Sequence, residues 1–463
     1  MTARPLPRSS SAEQGVDAAG VLAFLDAIES AGFDLHSLML VRHGHVVAEG
    51  WWAPYRADRV HLLYSLSKSF TSTAIGMAEG EGLLSIEDPV VQHFPDRVPP
   101  DASPHTKAMK VRHLLSMASG HAEDTRRDLG RNGPDLVRGF LSIPPDKEPG
   151  TLFCYNQGCT YTLSALITRL TGERLLDYLR PRLFDPLGIE EAIWTQSEEG
   201  IDLGYSGLHL VTESVAKLGV LHLQNGRWEG RELVPPAYLA EAHRLQIDNA
   251  GGMPNSDWQQ GYGFQFWMCR HGAYRGDGAF GQFCVVVPEA DAVIVCTAQV
   301  TEMQAELDLI WEHLLPALSG DAAADPGTEQ RLADRLGHLS TPVIQAMVMP
   351  PDRSVTFSRV GEPVAGTEQL SSIRVETAGG CSELIVVAGE KEHRFGLQPD
   401  GFVEGQLSGL HQTLGTVAVT GGWTATDRFE ADVVSTTTPH RLQLRAKAGP
   451  PPTVEASWYA APL

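Results

Sequence analysis

Ser65, Ser67 and Lys68 stand close together in "HLLYSLSKSF", residues 61–70. If a helix begins at or just before Ser65, residues three apart share a face, and the Ser65 hydroxyl can meet the Lys68 amine. A lysine accepts a serine proton only when burial or a neighbouring cation lowers its pKa. The free N–H groups at such a helix start, and its dipole, would stabilise negative charge on an attacked carbonyl. Ser67 adjoins the lysine and points to another face. The four-residue pattern is weak evidence by itself. It recurs at Ser214–Lys217 in "TESVAKLGV", where it reads as the solvated face of an amphipathic helix capped by Thr212.

Two further segments could supply partners. In "PGTLFCYNQGCTYTLSALITRLTG", residues 149–172, Tyr155, Asn156 and Gln157 follow a turn and precede a helix. A phenolate or hydrogen-bonded phenol beside a lysine can relay a proton. In "YRGDGAFGQFCVVVPEADAVIV", residues 274–295, Gly276, Gly278 and Gly281 open an otherwise regular strand. Glycines in a strand mark close approach of a ligand or of another backbone. A strand N–H there could complete an oxyanion hole with that of Ser65. The competing constellations are weaker. His43 and His45 fit a hairpin turn better than a metal site, and no metal or cofactor is expected. Glu87-Asp88 reads as turn chemistry, and Trp51, Trp52 and Trp267 as core or cleft wall.

The elements that must position these groups follow from periodicity. Residues 16–32 have helical spacing, and "SLMLVRHGHVVAEGWW" reads as a β-hairpin turning near Gly44. Helical patterns fill the middle, up to about residue 250. Residues 261–300, including "GYGFQFWM", are β-rich, and "AELDLIWEHLLPAL" is helical. This is an α/β layout: the last strands return to the first hairpin to complete one antiparallel sheet flanked by helices. A first domain over 1–318 is followed by a linker with a short helix, 319–340. Eight short strand patterns over 341–463 then suggest an antiparallel barrel or sandwich. That region could cap a cleft, bind a lipophilic ligand or mediate a homodimer.

With 36 Lys+Arg against 57 Asp+Glu among 463 residues, the formal net charge is −21, which excludes nucleic acid and anionic membranes as partners. The six cysteines lack a CxxC pair and read as buried small hydrophobes. "MTARPLPRSSSAEQ" has no apolar leader segment, and no apolar run reaches membrane-spanning length, so a cytoplasmic protein is the default expectation.

Taken in this order, the three segments resemble the serine β-lactamase and penicillin-binding-protein superfamily, nearest its class C-like esterase and peptidase branch. That family carries Ser-x-x-Lys, Tyr-x-Asn and a Lys-Thr-Gly or His-x-Gly strand. "LYSLSKSFTSTAIGMAEGEGLLSIEDPV", "MKVRHLLSMASGH" and "RPRLFDPLGI" extend the resemblance over about residues 16–318. It implies a sheet with a helical lobe, Ser65 as the acylated nucleophile, Lys68 as its proton acceptor and Tyr155 as the partner that protonates the leaving group and activates water.

Two motifs depart from that pattern. The second reads Tyr155-Asn156-Gln157, so either Gln157 or Asn156 could face the substrate. The third reads Gly276-Asp277-Gly278, followed by Ala279 as the candidate oxyanion donor. The cation that binds a substrate carboxylate in lactamases is then missing, and Arg275 could replace its charge. The resemblance therefore implies a serine hydrolase acting on an ester or amide of a small acyl or peptide substrate, with weak or absent β-lactamase activity. Acyl transfer or peptide cyclisation through the same acyl-enzyme, and a non-catalytic binding protein keeping the fold, are the alternatives.

Overall fold

The structure is a computed structural model that describes residues 4–131, 133–253, 255–320, 325–348 and 351–463. The chain divides into two compact units. One is built from residues up to Phe33, Ser37–Gly50 and Leu62–Gly337, and the other from Asp34–His36, Trp51–His61 and the chain from His338 onward.

The first unit centres on a six-stranded sheet. Its strands are β1 (Asp34–Arg42), β2 (His45–Trp51), β3 (Trp267–Met268), β4 (Tyr274–Gly278), β5 (Gln282–Val287) and β6 (Ala292–Gln299), in the order β2-β1-β6-β5-β4-β3. β5 runs antiparallel to both β4 and β6. β1, β5 and β6 are buried at every residue, as near-continuous apolar strands covered on both faces should be. The β1–β2 hairpin turns at His43 and Gly44, both with positive φ. That backbone matches the twist of the flanking strands and gives the His-Gly pair a turn role. No group of three or more potential metal ligands occurs among the described residues.

Helices α1 (Ala18–Ser30), α2 (Ser67–Gly80), α3 (Gln157–Thr171) and α4 (Thr212–Leu223) build the layers around this sheet. α4 packs on β5 and β6. It comes so close at Gly219 that an added Cβ would lie 2.5 Å from Val293 Cγ1. This packing corrects the reading of the second Ser-x-x-Lys: Ser214 and Lys217 are each only 4% exposed, and the helix cap is Val211, not Thr212.

α2 is buried almost all round. Its hydroxyls are satisfied: Ser69 bonds the Gln265 carbonyl, Ser72 that of Phe264, and Thr73 the His222 ring. The expected strand character of "GYGFQFWM" shrinks to Trp267–Met268. Gln265 sits at φ 62, and its carboxamide bonds Leu115 O and Thr160. Among the described residues, no helix is long and apolar enough to cross a membrane.

The second unit holds a nine-stranded sheet. Its strands are β7 (Arg353–Arg359), β8 (Leu370–Ala378), β9 (Cys381–Ala388), β10 (Lys391–Gly396), β11 (Val403–Gln406), β12 (Thr416–Ala425), β13 (Arg428–Ser435), β14 (Arg441–Lys447) and β15 (Thr453–Trp458), in the order β10-β9-β8-β7-β15-β14-β13-β12-β11. The two end strands approach each other, with Gly405 of β11 packed on the Phe395 ring of β10, so the sheet is a nearly closed barrel. Eight strands coincide with the sequence patterns. β11, "VEGQ", escaped because it is short and half-exposed. β7 and β15 pair in parallel, which corrects the wholly antiparallel expectation.

Apolar side chains including Phe357, Trp423, Phe429 and Leu444 fill the interior. Of the expected linker, residues 321–324 lie outside the described ones, and its helix extends over Pro326–Leu336. Cys159, Cys269, Cys284 and Cys296 are buried as expected, and Cys154 partly so. Cys381 is exposed, which corrects the reading for that residue.

Candidate active site

The turn that carries Ser65 begins with a strained residue. Tyr64 adopts φ 48 in the short helical turn Tyr64–Leu66 that leads into α2. A non-glycine residue there costs about 1 kcal/mol or more, so packing must hold it. Phe280 meets its ring edge-on, with centroids 5.5 Å apart. Leu66 N–H makes the first bond of this turn, to Leu63 O. Ser65 N–H precedes that bond and belongs to the donors a helix start leaves without helical partners.

Ser65 is partly exposed, and Lys68 lies beneath it, 1% exposed. Lys68 Nζ donates to Ser65 Oγ at 2.9 Å and to Tyr205 O at 2.9 Å. It also lies 4.7 Å from the centre of the Tyr155 ring. Burial pulls the amine down from 10.5 to about 7, against the opposing fields of Asp124 and Asp277. Ser67 is spent elsewhere: its hydroxyl donates to Tyr64 O at 2.6 Å and accepts from Leu208 N–H.

The Tyr155 ring lies against the Lys68 amine and stacks on Trp267 at 5.2 Å. Burial and the field of Asp277 push its phenol well above its ordinary range, outweighing the opposing influence of Ser65. At neutral pH the phenol is therefore protonated. Of the two relay options read from the sequence, this leaves the hydrogen-bonded phenol and removes the phenolate. Lys68 is the group whose free base is available near pH 7.

Asn156 does not serve the cleft. It is fully buried as the N-cap of α3: its Oδ1 accepts from Gly158 N–H and from Thr125 Oγ1, and its Nδ2 donates to Glu123 O. A short amide at this position satisfies helix-start donors that would otherwise be orphaned, which is why it stands one place early in the motif. Asn156→Ala should cost about 1–2 kcal/mol of stability in denaturant unfolding while Ser65 still labels with an acylating probe. Gln157 opens α3 with its N–H on Asp124 Oδ1, and its side-chain Oε1 is buried without a partner.

The strand motif has a different purpose from the one its charge suggested. Arg275 is fully buried, with Nε 2.9 Å from Asp277 Oδ2, Nη1 on Asp257 O, and its guanidinium over the Trp258 ring. Nη2 also lies 2.9 Å from Asp277 Oδ2, off the hydrogen-bonding direction. Asp277 thus neutralises Arg275, which corrects the expectation that Arg275 could stand in for the missing cation.

Gly276 and Gly278 are there for close approach. An added Cβ would lie 2.7 Å from Ser69 Oγ at Gly276 and 2.1 Å from Leu63 O at Gly278. The second distance is a backbone clash, so β4 can lie against the Ser65 turn only with glycine there. Ala279, partly exposed, follows directly.

The fold brings Ser65, Lys68, Tyr155 and the Asp277 strand together. It adds Asp124, Arg126 and Tyr205, which sequence reasoning missed. Tyr205 reaches Lys68 through its backbone carbonyl, which no residue type announces. "EDTRRD" reads locally as a charged surface turn.

A buried amine in contact with a serine hydroxyl is an arrangement that can activate that hydroxyl as a nucleophile. The chain belongs to the beta-lactamase family, whose model matches residues 27–317. It is 29% identical over 246 residues to penicillin-binding protein 4 of Amycolatopsis lactamdurans, a match covering 51% of this chain and 61% of that one. It is 25% identical over 287 residues to the 6-aminohexanoate-dimer hydrolase of Paenarthrobacter ureafaciens, covering 56% and 71%. The solved penicillin-binding-protein homologue of Caulobacter crescentus shares the fold, with TM-score 0.55 at 16% identity over 65% of this chain and 97% of that one.

Proposed function

We propose that this protein hydrolyses an uncharged ester or amide of a small acyl group through an acyl-enzyme on Ser65. The observation that carries this reading is the 2.9 Å contact between Ser65 Oγ and a Lys68 amine with a pKa of about 7. Ser65 attacks the carbonyl carbon as its proton passes to Lys68. The carbonyl oxygen becomes an oxyanion facing the N–H groups of Ser65 and Ala279. The carbon–leaving-group bond breaks as that proton returns to the departing oxygen or nitrogen, with the neutral Tyr155 hydroxyl as relay. Water then attacks the acyl ester and gives its proton to Lys68, which passes it to Ser65 Oγ as the acyl–oxygen bond breaks and the acid leaves.

The preference for an uncharged substrate follows from the Arg275–Asp277 pair, which leaves no net positive charge on the strand for a substrate carboxylate. The relatives include a 6-aminohexanoate-dimer hydrolase and a lovastatin esterase, which supports hydrolysis as the reaction class. The intact contacts among Ser65, Lys68 and Tyr155 weigh against a merely binding role. A fluorophosphonate probe followed by peptide mass mapping tests the reading. The adduct should sit on Ser65 and vanish in Ser65→Ala. An adduct on Ser67 or Ser214, or labelling that survives Ser65→Ala, would overturn it.

A further inference from the structure

We propose that Gln282 is the positioning residue for the Ala279 N–H, holding it where the oxyanion forms. This rests on the reading of Ser65 as the nucleophile and of Ala279 as the second oxyanion donor.

Ala279 opens the three-residue turn Ala279–Phe280–Gly281 between β4 and β5. A turn is a poor support for a donor that must stay fixed while charge develops. This one is also strained: Phe280 stands at φ 69 and Gly281 at φ 87. A non-glycine residue keeps such a backbone only where its surroundings hold it. Gln282 holds Ala279 on both sides. Its backbone lies opposite Gly278 in the β4–β5 ladder, which fixes the residue before Ala279. Its carboxamide fixes the peptide after it: Nε2 donates to Ala279 O at 3.0 Å.

The same carboxamide is anchored on the neighbouring strand. Nε2 also donates to Ala298 O at 2.7 Å, and Oε1 accepts from Ala298 N–H at 3.2 Å. It thus pairs with both backbone groups of Ala298, as a strand residue would. The backbones of β5 and β6 pair from Phe283 and Cys296, and the side chain carries that ladder on to Ala298. Gln282 is fully buried, so water does not compete for these bonds. Further contacts brace the turn. Val300 N–H donates to Phe280 O at 3.0 Å, and the buried Glu306 carboxyl crowds Gly281, where an added Cβ would lie 2.1 Å from Oε2. The Phe280 ring meets that of Tyr64, the residue before Ser65, so both donors sit on one packed unit. An amide suits this position because it donates twice and accepts without carrying charge. An apolar side chain of the same length would strip Ala279 O and Ala298 of these bonds.

The test compares a p-nitrophenyl ester with the thionoester of the same acid in wild type, Gln282→Met and Gln282→Glu. Sulfur in place of the carbonyl oxygen accepts hydrogen bonds poorly, so the ester gains far more from two aimed N–H groups. Gln282→Met should lower kcat on the ester about tenfold with KM unchanged, part of the about hundredfold or more that loss of a whole donor costs. The thionoester rate should stay within about twofold, so the ester-to-thionoester ratio falls. The acid limb from Lys68 should stay near pH 7, because Gln282 does not touch the amine. Gln282→Glu keeps the shape and the bond from Ala298 N–H but cannot donate to both carbonyls. It should lose part of the ratio, and it carries the test if Gln282→Met does not fold. A side chain that merely stabilises the fold would slow both substrates alike. Equal losses on the two, or an unchanged ester rate, would overturn the proposal. Absence of a fluorophosphonate adduct on Ser65 in wild type would instead defeat the reading of the site on which it rests. Circular dichroism checks that each variant folds.

Discussion

Ser65→Ala, Lys68→Ala and the double variant should all fall to nearly the same residual rate, at least about a thousandfold below wild type in kcat for a p-nitrophenyl ester. Covalent catalysis here needs two things at once, an attacking oxygen and a base in contact with it. The 2.9 Å contact between Lys68 Nζ and Ser65 Oγ makes them one unit. Removing the oxygen leaves the amine nothing to activate, and removing the amine leaves a hydroxyl that is a weak nucleophile at its ordinary pKa. Groups acting as a unit are strongly non-additive, so the second substitution should cost little beyond the first. Burst kinetics with the single and double variants measure this directly. Additive losses would mean that Lys68 serves something other than Ser65. Ser67→Ala should keep its burst, because that hydroxyl is tied to Tyr64 O and Leu208 N–H.

The second large effect is on pH. For a neutral substrate, kcat/KM should fall about tenfold per unit below pH 7 and level off above it, so that pH 5 lies about a hundredfold below the plateau. The sign follows from the direction of the shift. Burial disfavours the ammonium, so the Lys68 pKa falls from 10.5 to about 7 and the free amine dominates above that value. An unshifted lysine would be free amine in only about one molecule in three thousand at pH 7. No matching alkaline limb from Tyr155 should appear in the accessible range, because its phenol is raised, not lowered. Rates across pH 5–9 check both statements. A limb near pH 10 would show that Lys68 is solvated and is not the base.

Much of the scaffold was legible from local signals. Apolar runs announced β1, β5 and β6, and short strand patterns between turns announced eight of the nine barrel strands. The parallel β7–β15 pair could not be read, because strand direction in a barrel depends on where a chain segment returns, not on its side chains. Asn156 and Gln157 were left open for a related reason. An amide at a helix start suits a cap or a ligand equally well, and only the positions of Thr125 and Glu123, about thirty residues earlier, committed Asn156 to the cap. Arg275 looked like a spare cation until Asp277, two residues on and so on the same face of the strand, paired with it.

The amino-acid order by itself determined the local device: a serine and a lysine three apart on a helix start, a tyrosine before a second helix, and glycines where a strand must touch another backbone. The periodicities of helix and strand require no more than neighbouring residues. Which of two Ser-x-x-Lys copies offers a candidate site was decided by tertiary structure. Both lysines are buried, but the nearest charge to Lys217 is the Glu213 carboxylate, 4.0 Å away on its own helix and directly below it in sequence. Lys68 is met by a serine hydroxyl and a carbonyl, neither of which carries a charge to hold its proton. The pKa of a buried amine is set by burial and by the charges around it, and for Lys68 those lie on segments 56 to 209 residues further along the chain.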